Sequence, residues 1–186
     1  MALSKIDVAN MLTGTAPVAN GGTGLTSGFK NGITEADMFR LTTDITATNA
    51  DITSNLERVD DASFGKIGTG MSESSGIFTF PSTGVYQVTA EGTFNADGTQ
   101  EVSMDIIIKV TQNNSDFDNV ANIQNGARTT SSVFQSGIKS CFVNVTDTSN
   151  VKVKFTTDSL SSGSKLRGNT DVNKTVFVFI RLGDSV

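Results

Sequence analysis

The side chains that most often carry out chemistry are scarce in this chain. Histidine is absent, which removes the commonest general base and the commonest metal ligand together. The single cysteine, Cys141, lies in the apolar run Cys141-Phe142-Val143. It can close no disulfide within the chain. Only Lys139 stands near it in sequence to lower its pKa, so it reads as a small buried hydrophobe rather than a nucleophile. The carboxylates are scattered. Asp97, Asp105, Asp116, Asp118 and Asp158 lack the spacing of an oxygen-rich calcium loop and read as turn formers or solvated charges. Glu73 and Glu91 could be taken for the acid and base of a glycan-cleaving pair, yet nothing around them marks them for that work. The glycine-rich run Asn20-Gly21-Gly22-Thr23-Gly24 is not followed by Lys-Ser/Thr and has no strand and helix framing it, as a phosphate cradle requires. The chain therefore reads as a non-enzyme without cofactor or metal.

The elements that hold these residues are strands. Glycine is abundant at 18 and proline rare at 2, and Ser, Thr, Asn and Asp are frequent, a mixture that favours strands with turns. The stretch 76–90 reads as a hairpin. Ile77, Phe78 and Phe80 suit a pleated packed surface, Pro81 ends the first strand, and Gly84 supplies the turn. Tyr86, Val88, Ala90, Gly92 and Phe94 then alternate with polar residues. Residues 101–111 place Val102, Met104, Ile106, Ile108 and Val110 on one face. Residues 129–145 form a long strand in which Gly137 signals a bulge or a change of parity. Residues 51–60 fit either a helical turn or a strand, and 159–173 reads as a polar loop. The last strand, 174–182, is apolar on both sides. It is either a central strand of one protomer or a contact between copies. From residue 38 onward there are about eight to ten short strands, the pattern of a double-sheet jelly roll.

Phe78, Phe80, Pro81, Gly84, Tyr86 and Val88 form an aromatic-x-Phe-Pro-x-x-Gly-x-Tyr-x-Val hairpin. It resembles the early strands of the trimeric jelly roll shared by complement-type globular heads and tumour-necrosis-factor-like proteins. With the strand count, the resemblance covers about two thirds of the chain. It implies an all-β antiparallel jelly-roll sandwich that assembles as a homotrimer. Phe80, Tyr86, Val176, Phe177 and Phe179 are the candidates for trimer or core packing.

Residues 1–35 differ from the rest and are expected to be a separate arm, with 36–186 forming the head. Ser4 could cap a short helix with Ile6, Val8, Met11 and Leu12 on one side. The following glycine-rich segment suits a flexible linker, but it also carries a pattern. Gly14-Thr15, Pro17-Val18 and Asn20-Gly21-Gly22-Thr23-Gly24 resemble a signature of bacteriophage tail-fibre proteins. The resemblance implies a virion attachment arm built on Leu12, Pro17, Val18, Asn20, Gly21, Gly22 and Gly24.

Charge and hydropathy narrow the partners. The net charge of −5 argues against a nucleic-acid backbone. No run approaches the ~20 apolar residues of a membrane span, and the first residues lack the apolar centre of a secretory signal. The expectation is a structural virion protein of a tailed bacteriophage, a trimeric tail fibre or fibre tip. It would bind itself, other virion proteins through the arm, and a host surface receptor through its loops. A capsid decoration or head fibre is the alternative, and a cellular complement-head-like binding module a third.

Overall fold

Alternating apolar and polar residues commit nearly all of the head to extended backbone, and the turns fall where Gly, Asn, Asp and Ser collect. In the computed structural model of the protein, residues 32–98, 100–128 and 131–186 are described. In chain order the strands are β1 (Ala36–Leu41), β2 (Ile45–Thr46), β3 (Leu56–Arg58), β4 (Ser72–Ser74), β5 (Ile77–Thr79), β6 (Gly84–Ala96), β7 (Glu101–Thr111), β8 (Phe117–Ala127), β9 (Val133–Val145), β10 (Lys152–Asp158), β11 (Ser164–Leu166) and β12 (Thr175–Gly183). There is no helix among the described residues.

The strands form two antiparallel sheets, a jelly-roll sandwich. The first sheet runs β2-β11-β6-β12-β1-β3, and β9 pairs with the other edge of β6. The second runs β4-β5-β10-β7-β8. Between them lies an aromatic core. Phe155 of the second sheet stacks on Phe177 of the first with ring centroids 3.9 Å apart. Phe39 meets Phe78 edge-on at 5.1 Å, and Phe78 lies 5.1 Å from Phe179. Burying each such ring is worth roughly 1.5–3 kcal/mol, and edge or offset pairing adds about 0.5–1.5 kcal/mol. Aromatic burial therefore holds the sheets together.

The 76–90 stretch forms the two expected strands and the turn between them, but not a hairpin: β5 pairs with β4 and β10 in the second sheet while β6 lies in the first, so the turn carries the chain across the sandwich. Phe80 and Tyr86 pack at 4.7 Å, and the Tyr86 hydroxyl hydrogen-bonds Ser82 Oγ at 2.9 Å. Gly84 has φ +148°, and a Cβ there would lie 2.6 Å from the Gly183 carbonyl oxygen. Only glycine closes this turn against β12.

Several expectations need correction. Gly137 makes no bulge, because β9 pairs with β6 in unbroken register from Val145 to Val133. It is a point of close approach. Gly137 lies directly opposite Gly92. A Cβ on Gly137 would sit 2.5 Å from Ile123 Cγ2, and one on Gly92 would collide with Ile106 Cδ1. The irregularity falls in β7 instead. Its register with β8 shifts between Glu101 and Met104, so Val102 leaves the apolar row and is 96% exposed. Of the two readings of residues 51–60 the strand holds, as β3, and the segment before it is pinned to the second sheet. Asp51 accepts hydrogen bonds from Lys154 Nζ at 2.8 Å and Thr156 Oγ1 at 2.5 Å. The 159–173 loop holds β11, which joins β2 to β6, with Leu160 and Leu166 buried.

Candidate self-association face

A strand with an apolar core face owes its other face to water unless something covers it. In the first sheet that outward face is only partly polar. The edge strand β9 turns Phe134, Ser136, Ile138, Ser140 and Phe142 outward, opposite Asn95, Thr93, Glu91, Thr89 and Gln87 of β6. Phe134, Ile138 and Phe142 are 59%, 61% and 72% exposed. Spaced four residues apart on a strand, they project about 13–14 Å from one another. Their hydroxyl neighbours are tied to β6, with Thr89 Oγ1 2.7 Å from Ser140 Oγ and Thr93 Oγ1 3.1 Å from Ser136 Oγ. Beyond β6, Val176, Val178 and Ile180 of β12 continue the apolar rows, followed by Arg40, Met38 and Ala36 of β1. The polar β6 row and buried Val176 divide this surface, so its exposed large apolar side chains are the three on β9, Phe134, Ile138 and Phe142.

Charged groups bound the face. At the β3 margin Arg40 is buried, with its guanidinium 2.6 Å from Glu57, 2.5 Å from Asp60 and 2.7 Å from Asp61. Burial alone would lower its pKa; hydrogen bonds to Glu57 and Asp61 more than offset this and raise it. At the far end the Arg167 guanidinium lies 5.4 Å above the Phe134 ring and 3.0 Å from Asp44. At the near end Asn144 Nδ2 donates to the Val186 carbonyl at 2.5 Å, and Val186 N donates to Asn144 Oδ1 at 3.2 Å.

Phe80, Tyr86, Phe177 and Phe179 all lie in the core between the sheets. Val176 alone of the five packing candidates turns outward, between Arg40 and Glu91. β12 is a central strand flanked by β6 and β1, so its apolar character on both sides serves two surfaces. The arm residues Leu12, Pro17, Val18, Asn20, Gly21, Gly22 and Gly24 lie outside the described residues. Sequence reasoning missed Phe134, Ile138 and Phe142. Their regular spacing was the available signal, but the apolar run 141–143 reads as core when taken alone.

The thiol and the carboxylate pair singled out in the sequence lie apart from one another. Burial pushes the Cys141 thiol pKa up, away from the thiolate a nucleophile needs. Glu73 sits in the second sheet and accepts the Gly76 N–H at 2.7 Å, whereas Glu91 lies on the outward face of the first. No cluster of three or more His, Cys, Asp or Glu that could hold a metal occurs among the described residues.

The fold is similar to that of murine APRIL at pH 5.0, with a TM-score of 0.58 and 11% identity over 80% of this chain and 99% of that one. It is also similar to Eiger TNF from S. frugiperda, with a TM-score of 0.59 and 11% identity over 81% of this chain and 94% of that one. No family model matches the chain, and no curated protein matches its sequence. The likeness is one of fold, a tumour-necrosis-factor-like jelly roll.

Proposed function

We propose that this protein is a structural virion component of a tailed bacteriophage, a homotrimeric jelly-roll head carried on an N-terminal attachment arm. The outward apolar face of the first sheet carries the self-association. Phe134, Ile138 and Phe142 are too large and too exposed for an idle sheet edge, and edge strands of this length are hazards unless covered. A second copy of the chain covers them without requiring any other partner. The virion assignment rests on the arm, through the Gly14-Thr15 to Gly24 pattern and its resemblance to tail-fibre proteins. The head then projects as a fibre or fibre tip, and its loops meet the host surface.

Solution mass tests the assembly. Sedimentation equilibrium is expected to give three times the chain mass of 19.5 kDa. Ile138→Asp with Phe142→Asp is expected to give a folded monomer. A wild-type monomer at micromolar concentration overturns the trimer. Labelling the protein on intact particles and imaging them tests the location. Label on the tail supports the fibre, label on the shell favours the head-fibre or decoration alternative, and no label on the particle overturns the virion role.

A further inference from the structure

We infer that the outward face of the second sheet, along β7 and β8, is a binding site for a neutral polysaccharide of the host cell surface. The inference rests on the host-contacting head proposed above and names the receptor chemistry and the surface that meets it. In that proposal the first sheet turns its outward face to other copies, so the second sheet keeps its own open. Two irregularities shape it. The register of β7 with β8 shifts between Glu101 and Met104, and again between Ile108 and Lys109. A valine stands out to water at each shift, Val102 at 96% exposure and Val120 at 46%. Beside Val120 lies a depression of about 280 Å³ lined by Ile107, Asn119, Val120, Ala121 and Asn122. A second, of about 680 Å³, opens beside Val102, Gln100 and Gly126. Bulges alone blunt an edge strand against stray pairing. Holding a valine in water at each one adds an apolar cost that edge protection does not require.

Amides surround the valines. Asn119 lies opposite Lys109, Asn122 opposite Ile107 and Gln124 opposite Asp105. Ile107 alternates out of the core between Ile106 and Ile108 and gives the first depression an apolar floor. The Asn119 side chain makes no hydrogen bond among the described residues. Asn122 Nδ2 donates to Asp105 at 3.5 Å, and Gln124 Nε2 donates to Ser103 Oγ at 3.0 Å. Their amide oxygens face outward as acceptors. A carboxamide both donates and accepts, which matches a sugar hydroxyl, while an apolar side chain suits the C–H face of a sugar ring. Charge selects a neutral chain. Lys154 and Lys109 are turned to Asp51, at 2.8 and 3.8 Å. Glu101 and Arg128 line the second depression together, one charge of each sign. Asp118 and Asp158 are exposed without an ion pair among the described residues. An anionic polysaccharide would be repelled by both acids and would have to draw the lysines from Asp51.

A printed array of neutral and acidic bacterial polysaccharides, probed with the full chain, tests the site. The strongest neutral binder is then titrated against wild type, Asn119→Ala, Val120→Asp and, in the 159–173 loop, Thr170→Ala. Circular dichroism and sedimentation confirm that each variant stays folded and keeps the assembly state of wild type. The expected result is binding to at least one neutral polysaccharide, weakened at least about tenfold by Asn119→Ala and by Val120→Asp and unchanged in Thr170→Ala. If Val120→Asp does not fold, Asn119→Ala alone decides. Binding to no polysaccharide, or to acidic ones only, overturns the inference while leaving the trimer and the virion role to their own tests. Binding that survives both second-sheet substitutions also overturns it, and loss in Thr170→Ala alone assigns the contact to the loop instead.

Discussion

Asp51 shows how a residue that reads as an ordinary surface acid becomes a structural fastener. Lys154 and Thr156 hydrogen-bond it, and Lys109 Nζ lies 3.8 Å away. Burial by itself would raise its pKa, but the Lys154 and Thr156 hydrogen bonds, aided by both lysine charges, hold it below the ordinary 3.8. A depressed folded-state pKa means the stabilisation is complete above the unfolded value and fades as pH falls through the folded one. Urea unfolding of wild type and Asp51→Asn is therefore expected to differ at pH 6.5, with the variant weaker, and the gap is expected to close only as the pH falls below the ordinary carboxylate range. A gap that stays constant across this range would remove the ionic contribution. At this scale the sequence was only partly readable. Phe80, Tyr86, Phe177 and Phe179 could be recognised as packing residues from type and alternation. Whether each faced the core or a partner could not, because both surfaces select the same side chains. Arg40 was unreadable as a buried cation, since Glu57, Asp60 and Asp61 approach it only after β1 and β3 pair.

Among the elements, β9 departs most from its reading. A glycine inside a long strand suggests a bulge from local propensity alone. The structure uses Gly137 differently, as space for Ile123 of the opposite sheet, beside Gly92 which makes space for Ile106. That partnership is set by the packing of two sheets and has no local trace. Gly137→Val is expected to lower stability by about 2–3 kcal/mol, as overpacking does, and more than Ser136→Val on the outward side of the same strand. Thermal unfolding of the two variants gives the comparison. Equal losses would show that strand propensity, not the approach of the second sheet, governs the site. The turn at 81–84 was legible because turn chemistry is local: Pro81 and Gly84 state their roles in sequence; that it joins two sheets instead of closing a hairpin was not, because the partners of β5 and β6 lie elsewhere along the chain. The short strand β11 was not, since three residues flanked by Ser and Gly carry too little pattern, and its partners β2 and β6 lie far away along the chain.

For the whole molecule, the jelly roll could be read from strand count and the Phe-Pro-x-x-Gly-x-Tyr motif, because many short alternating strands admit few architectures. The division of labour between arm and head is a proposal of another kind. Removing residues 1–30 is expected to leave a head that unfolds at the same temperature as the intact chain. The same deletion is expected to abolish incorporation into particles when supplied in place of the wild type. Incorporation at the wild-type level would place the virion contact on the head. A lowered unfolding temperature would make the arm part of the head's own stability.

The Arg40 cluster limits how this surface can drift over generations. Losing any one of Glu57, Asp60 or Asp61 still leaves the guanidinium with two acidic neighbours. Losing Arg40 first leaves three acids side by side at one strand margin without the guanidinium they share, repelling one another. The acids can therefore be exchanged one at a time, while the arginine is replaceable only after most of them are gone. Lineages descending from this sequence should shed the acids before the base, and the margin beside β3 should change its charge in steps of one sign.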